Sequence, residues 1–295
     1  MDKLDKIELC FLNDYEDHLS ALRNLAINHL SELSASQFKK FFQIKSSKLP
    51  PPQSKVVTTY PIDLINRHLV NPEYLGPPIS ILFEDERFIV LDKPHHIHTH
   101  PLLYSEKDNC LSYLRHIGKG KILEEVNPHQ HERGLLFRLD YSTSGVLVYV
   151  KSFDHYLHLR ENYLSPKIIK KKEYMALVMG DFSQNGFHEH ELVGSLVRGH
   201  KIKVTAGLGA KLYCEKMEYF PRKNISLVKI SLQTGKRHQI RAQLAHLNHP
   251  IVGDTLYLGP KSERIYLHSH CYQIENDTFV SPCPFDIEGV NFVTN

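Results

Sequence analysis

From residue 79 onward the chain is punctuated by short apolar runs of strand length, each closed by a turn signal. This pattern limits the possible folds more than any other feature. Residues 79–83 and 88–92 are separated by Glu84-Asp85-Glu86-Arg87, as in a β-hairpin. Residues 146–150, 173–179, 211–220, 225–232 and 266–270 read as further strands, and Val228, Ile230 and Leu232 alternate onto one face. Helical spacing is confined to a few stretches. Ser152 is placed to cap a helix carrying Phe153, Tyr156, Leu157 and Leu164, closed by Pro166. A helix over 237–247 would turn Ile240, Leu244 and Leu247 inward and set Arg237 and Arg241 on neighbouring turns. Residues 181–209, rich in glycine and histidine, read as irregular strands and loops, with 192–197 a strand-like piece. Many strands with few, dispersed helices imply an α+β fold: a large mixed, mainly antiparallel sheet with flanking helices.

Ahead of the sheet the pattern changes. Leu19, Leu22, Ala26, Leu30 and Leu33 recur at helical spacing, and Ser34-Ala35-Ser36-Gln37 fits a capping box before Phe38, Phe41 and Phe42. Pro50-Pro51-Pro52 then stops regular structure, and Pro61, Pro72, Pro77 and Pro78 mark an irregular linker. The expected division is a small helical N-terminal region with its linker over 1–75, and the main domain over 76–295.

Composition excludes several classes. The chain has 295 residues, 41% hydrophobic and 23% charged, the balance of a soluble globular protein. With 36 Lys+Arg against 33 Asp+Glu, any basic footprint must be local. Five scattered cysteines, odd in number and without a Cys-x-x-Cys pair, do not build a disulfide framework or a zinc site. The first residues carry mixed charge rather than a secretory pattern, and no apolar run approaches the roughly 18 residues of a membrane span. The expectation is a cytoplasmic protein.

Three segments carry candidate chemistry. In 134–151 an apolar run leads into Arg138-Leu139-Asp140, followed by a polar loop and a strand. In extended backbone, residues two apart face the same way, so Arg138 and Asp140 can project into one site. His95-His96-Ile97-His98-Thr99-His100 offers alternate histidines, but no carboxylate or cysteine partner stands at a metal-site spacing. A polar loop near an anionic ligand is the reading there, with no metal site. Lys170-Lys171-Lys172 is the core of the densest basic cluster and leads straight into a strand, which suits phosphate contact.

Taken in order, the motifs have a family resemblance. Arg138-Leu139-Asp140 with Thr143-Ser144-Gly145 resembles the signature of the RluA-type pseudouridine synthases. Lys172-Glu173-Tyr174-Met175-Ala176-Leu177-Val178-Met179-Gly180 is similar to the family's Lys-x-Tyr strand. Thr234-Gly235-Lys236-Arg237-His238-Gln239-Ile240-Arg241 resembles its helix entrance, and Pro250 through Gly259 the loop after it. Ile81 through Pro94 looks like the family's opening hairpin. The resemblance covers roughly residues 79–275 and implies the pseudouridine synthase fold. Residues 33–40 also faintly resemble the helical half of an S4-type RNA-binding module, without its glycine and paired arginines.

The resemblance implies an isomerase that turns uridine in RNA into pseudouridine, breaking the N-glycosidic bond and rejoining the base through C5. By motif position Asp140 is its essential carboxylate, acting either on the sugar or in glycal formation. Arg241 pairs with that aspartate, Tyr174 stacks on the target base, and Arg138 fills the space left by the flipped nucleotide. Lys93, Thr143, Lys172, His238 and Gln239 complete the substrate-binding set. The implied partner is structured RNA, ribosomal or transfer, with no cofactor, no membrane and no obligatory protein partner, in a monomer. Three positions depart from the family pattern: Phe137 stands for a usual histidine, Tyr141 for a common basic residue and Lys236 for a frequent arginine. These departures bear on how RNA is gripped beside the flipped base. The competing readings are a silent RNA-binding or chaperone protein on the same fold, and a metal-dependent hydrolase using the histidine segment.

Overall fold

A computed structural model describes residues 6–12, 55–61, 73–101, 106–126, 133–194 and 201–293. The chain divides into two compact units, one from residues 1–77, 100–135 and 149–153, the other from 78–99, 136–148 and 154–295.

In the first unit β1 (Lys6–Leu12) pairs antiparallel with β2 (Lys55–Pro61). These two strands, not marked in the sequence reading, stand beside the helical region expected there. Val56, Val57, Thr58 and Tyr60 are β-branched or aromatic, a strand signal that the flanking prolines obscured. The helices expected between residues 14 and 42 lie outside the described residues. Helix α1 (Cys110–His116) is capped by Asn109, whose side chain accepts the Ser112 N–H at 2.9 Å, and it buries Leu111 and Leu114. Helix α2 (Gly120–Val126) follows.

The second unit is organised by one sheet. Its strands are β3 (Ser80–Glu84), β4 (Phe88–Lys93), β5 (Ser144–Val150), β6 (Ile169–Met179), β7 (Gly186–Val193), β8 (Lys203–Phe220), β9 (Ile225–Leu232), β11 (Leu267–Ile274) and β12 (Asp277–Val280). The order is β3-β4-β5-β11-β6-β9-β8-β7, with β12 added beside β11, while β10 (Lys261–Ser262) pairs separately with β13 (Phe292–Val293). Strand β5 pairs parallel with β11, whereas β3–β4, β6–β11, β6–β9, β8–β9, β7–β8 and β11–β12 pair antiparallel. The mixed, mainly antiparallel sheet read from the sequence is what forms. Strand β11 changes neighbours along its length: His268 and Ser269 face Ser144 and Gly145 of β5, while Cys271 to Ile274 face β12. Gly145 makes the short parallel contact possible. Its φ is +109°, and a Cβ there would collide with the Ser269 carbonyl.

Other expectations shift at their edges. Strand β8 starts at Lys203 and runs 18 residues, pairing with β7, so much of the stretch read as irregular is a long hairpin. Helix α3 (Phe153–Glu161) buries Tyr156 and Leu159, whereas Phe153, Leu157 and Leu164 are exposed. Among the described residues no helix is long and apolar enough to cross a membrane.

A buried polar node fixes β11 against the start of β5. Arg264 Nη2 donates to Ser144 Oγ at 2.6 Å, Ser144 Oγ lies 2.9 Å from His268 Nδ1, and His268 Nε2 lies 3.1 Å from the Ser281 carbonyl. One arrangement satisfies all three: Ser144 accepts from Arg264 and donates to Nδ1, and a neutral His268 donates from Nε2. Burial pushes the His268 pKa down to about 4. The folded state therefore binds fewer protons than the unfolded chain between about pH 4 and 6.5, and stability falls as pH drops through that window. Denaturant melts at pH 7.5 and pH 5 should differ by about 2 kcal/mol from this residue. In His268→Gln that part of the pH dependence should be absent.

Candidate active site

The pocket takes shape where β9 hands the chain to helix α4 (Gln239–His246). Gln239 braces the turn between them. Its Oε1 accepts from Thr234 Oγ1 at 2.9 Å and from the Lys236 N–H at 3.0 Å, and its Nε2 donates to the Lys211 carbonyl at 3.2 Å. His238 adopts a left-handed backbone, φ 52°, just before the helix. Arg237 thus stands outside the helix, correcting the expectation that it shares the helix with Arg241. The left-handed residue breaks the helical register between them.

Arg241 comes off the first turn of α4 into the protein interior and meets two carboxylates. Its Nε and Nη2 donate to Asp254 Oδ2 and Oδ1 at 2.7 and 2.8 Å, and its Nη1 donates to Asp140 Oδ2 at 3.0 Å. Asp254 is fully buried, while Asp140 is partly open to solvent. Burial alone would lower the Arg241 pKa, but the fork to Asp254 and the charge of Asp140 more than reverse this, so the guanidinium stays charged. The bidentate fork also fixes its plane, so Nη1 points at Asp140 in one direction only. Among the described residues the other oxygen of Asp140 has no hydrogen-bond partner in the protein. Asp254 was not singled out from the sequence. The loop that carries it is tightly set: Gly253 has φ +87°, and a Cβ there would run into the Arg264 carbonyl.

His238 also approaches Asp140, with Nε2 at 3.9 Å from the same Oδ2 that Arg241 bonds. Tyr257 Oη accepts the Ile202 N–H at 2.8 Å and lies 3.0 Å from His238 Nδ1. Because the phenol already accepts one bond, it donates to Nδ1, which leaves the imidazole proton on Nε2, facing Asp140. Burial lowers the His238 pKa, which keeps the ring neutral at pH 7.

Across the pocket, Tyr174 on β6 is buried, and its hydroxyl lies 2.7 Å from that of Tyr272. Burial raises its pKa, so it is a phenol at neutral pH. Arg138, Asp140, Tyr174, Lys236, His238 and Arg241 line one open pocket. Leu139 lines the pocket between Arg138 and Asp140, and Arg138 is exposed.

Four residues of the expected substrate set have other structural work. Lys93 is fully buried, and its ammonium donates to the carbonyls of Pro94 at 2.9 Å, Ile97 at 2.8 Å and Tyr141 at 3.2 Å, so it is a clamp rather than a surface contact. Thr143 is buried and closes the turn after Asp140, its N–H donating to the Asp140 carbonyl at 3.0 Å. Gln239 is the brace described above. The basic run splits: a bulge in the β6–β11 pairing leaves Lys170 and Lys171 both exposed, while Lys172 turns inward.

Lys172 is 6% exposed, its Nζ has no hydrogen-bond partner, and it sits 5.2 Å from the centroid of the Phe137 ring and 5.9 Å from that of Tyr163. Burial pulls its pKa down to about 8. Holding this cation costs stability at neutral pH, offset in part by the ring contacts. Lys172→Met, of similar length, should therefore raise stability by about 1–3 kcal/mol in urea melts at pH 7. A loss of stability would show that the ammonium contributes to the fold.

The histidines at 95, 96 and 98 pack as rings on one another and on Tyr141. Among the described residues no three of His, Cys, Asp and Glu converge in a metal-ligand geometry.

Comparison with known proteins places this arrangement. The family model described as RNA pseudouridylate synthase matches residues 87–246, a span that holds Asp140, Tyr174 and Arg241. Ribosomal large subunit pseudouridine synthase D of Borreliella burgdorferi is 29% identical over 242 residues, 81% of this chain and 72% of that protein. An uncharacterized RNA pseudouridine synthase of Helicobacter pylori is 30% identical over 214 residues, 71% of this chain and 76% of that one. Among solved structures, human RNA pseudouridylate synthase domain containing 1 shares the fold, with a TM-score of 0.58 at 20% identity over 75% of this chain and 92% of that chain. The chain belongs to the RNA pseudouridylate synthase family, in its RluA-type branch, and is an isomerase acting on RNA.

Proposed function

We propose that this protein isomerises a uridine of ribosomal RNA, with Asp140 as the essential carboxylate acting on a nucleotide flipped into the pocket. The observation that carries the reading is the fork of Arg241. One buried arginine, fixed by Asp254, donates to one oxygen of Asp140 and leaves the other carboxylate oxygen open to the pocket. That oxygen serves the ribose while the N1–C1′ bond breaks, and the same requirement holds whether it attacks C1′ or assists glycal formation. The freed base turns so that C5 bonds to C1′, the C5 proton leaves, and N1 gains a proton. Tyr174 offers its ring to the base, with its hydroxyl occupied by Tyr272. Arg138 enters the space vacated in the RNA, and His238 donates toward Asp140 or the sugar.

In this reading residues 76–295 are the catalytic domain and 1–75 an appended region. All the proposed site residues belong to one compact unit, so the chemistry needs no second copy. Ribosomal RNA is favoured over transfer RNA by the name of the Borreliella burgdorferi relative. A silent RNA-binding protein has no use for a carboxylate aimed into the pocket, where it repels phosphate. Pseudouridine mapping of ribosomal and transfer RNA from cells with and without the gene tests the proposal. A ribosomal uridine left unmodified without the gene supports it, and no change at any position contradicts it.

A further inference from the structure

Beside the pocket lies a surface of rings that the chemistry above does not use. Tyr141 directly follows Asp140 in the chain and is 45% exposed. The exposed His96 stacks on it, with centroids 5.6 Å apart and planes at 23°, and His98 leans against it at 4.7 Å. His95 meets His96 edge to face at 4.6 Å.

The surface is built rather than loose. The buried Lys93 ammonium bonds the backbone carbonyls of both Ile97 and Tyr141, tying together the two segments that carry the rings. The Ile97 side chain is buried and anchors the first segment from below. His96 is held with φ at 61°, a left-handed backbone that a non-glycine residue adopts at a cost, and its ring is presented outward. Burial and nearby Arg264 lower the pKa of His96, and burial takes that of His95 to about 4. Both rings are therefore neutral at pH 7, and the patch attracts as an aromatic face rather than as a cation.

We propose that the His96–Tyr141–His98 surface is a stacking platform for a nucleobase of the RNA that flanks the flipped uridine. The proposal rests on the reading of Asp140 as the residue that meets that uridine, since Tyr141 is its chain neighbour. A flipped nucleotide leaves its neighbours unstacked, and an exposed aromatic ring within a residue of the reacting group can take up one of them. Stacking of this kind tolerates any base, so the platform adds affinity and register without dictating sequence.

The test uses the full chain and two probes: an oligouridylate of about 12 nucleotides, within the usual single-strand site size, and an abasic ribose-phosphate chain of equal length. Tyr141→Ala should weaken oligouridylate binding by about 5- to 150-fold and leave abasic binding unchanged. Tyr141→Phe should bind both as the unaltered protein does, and His96→Ala should repeat the oligouridylate-selective loss at smaller size. Equal losses on both probes, a Phe variant as weak as the Ala variant, or no loss in either would overturn the platform. Release of tritium from C5-labelled RNA separates this from the reading beneath it. Unaltered protein that binds base-selectively yet releases no tritium contradicts the isomerisation and leaves the platform standing.

Discussion

Asp140→Asn is expected to cost on the order of 10,000-fold in single-turnover isomerisation while leaving RNA affinity within a few-fold of the unaltered protein. The side-chain oxygen of asparagine still accepts from Arg241 Nη1, and Arg241 keeps both bonds to Asp254, so the local fold is retained. What is lost is the charge and nucleophilicity of the oxygen that faces the pocket. Stability should change by less than about 1 kcal/mol, because the partly exposed Asp140–Arg241 contact is the weaker arm of the network. Measured turnover within about tenfold of the unaltered enzyme would remove Asp140 from the mechanism.

The largest stability effect should come from Asp254→Ala. Asp254 is fully buried and takes two of the bonds of a guanidinium that is itself buried. Removing it leaves a charge in the interior with Nε and Nη2 unsatisfied, which typically costs about 3–5 kcal/mol. Urea melts at pH 7 measure this directly. Activity should also fall, since Nη1 is then no longer aimed at Asp140. The double variant Arg241→Met/Asp254→Leu separates the two roles: removing both charges should recover most of the stability, while turnover stays low. Recovery of turnover together with stability would mean that the fork holds the fold and does not orient Asp140.

The sheet was legible because strands and turns signal locally. The hairpin 80–93, the strand at 225–232 and a helix within 237–247, found over Gln239–His246, follow from alternation, turn residues and spacing. Two other elements depended on what the sequence does not display. Strand β2 is flanked by prolines that read as linker, and α1 is marked mainly by Asn109, a single capping residue. At the site, Asp140, Tyr174 and Arg241 were picked out by motif, and they do meet in one pocket. Asp254 escaped because its importance lies in a contact 13 positions from Arg241, not in a pattern. Lys93 was expected in the substrate-binding set from the resemblance, and Lys172 as a phosphate contact from the basic cluster that leads into a strand. One is saturated by three carbonyls and the other is enclosed by aromatic rings, neither of which charge or spacing reveals.

The central claim is that Asp140, oriented by Arg241, isomerises uridine. It is tested most directly by incubating the protein with ribosomal RNA tritiated at uridine C5 and counting tritium released to water. The account predicts release by the unaltered protein, in amounts equal to the pseudouridine formed, and none by Asp140→Asn at the same RNA occupancy. No release from the unaltered protein, or equal release from both, would contradict it.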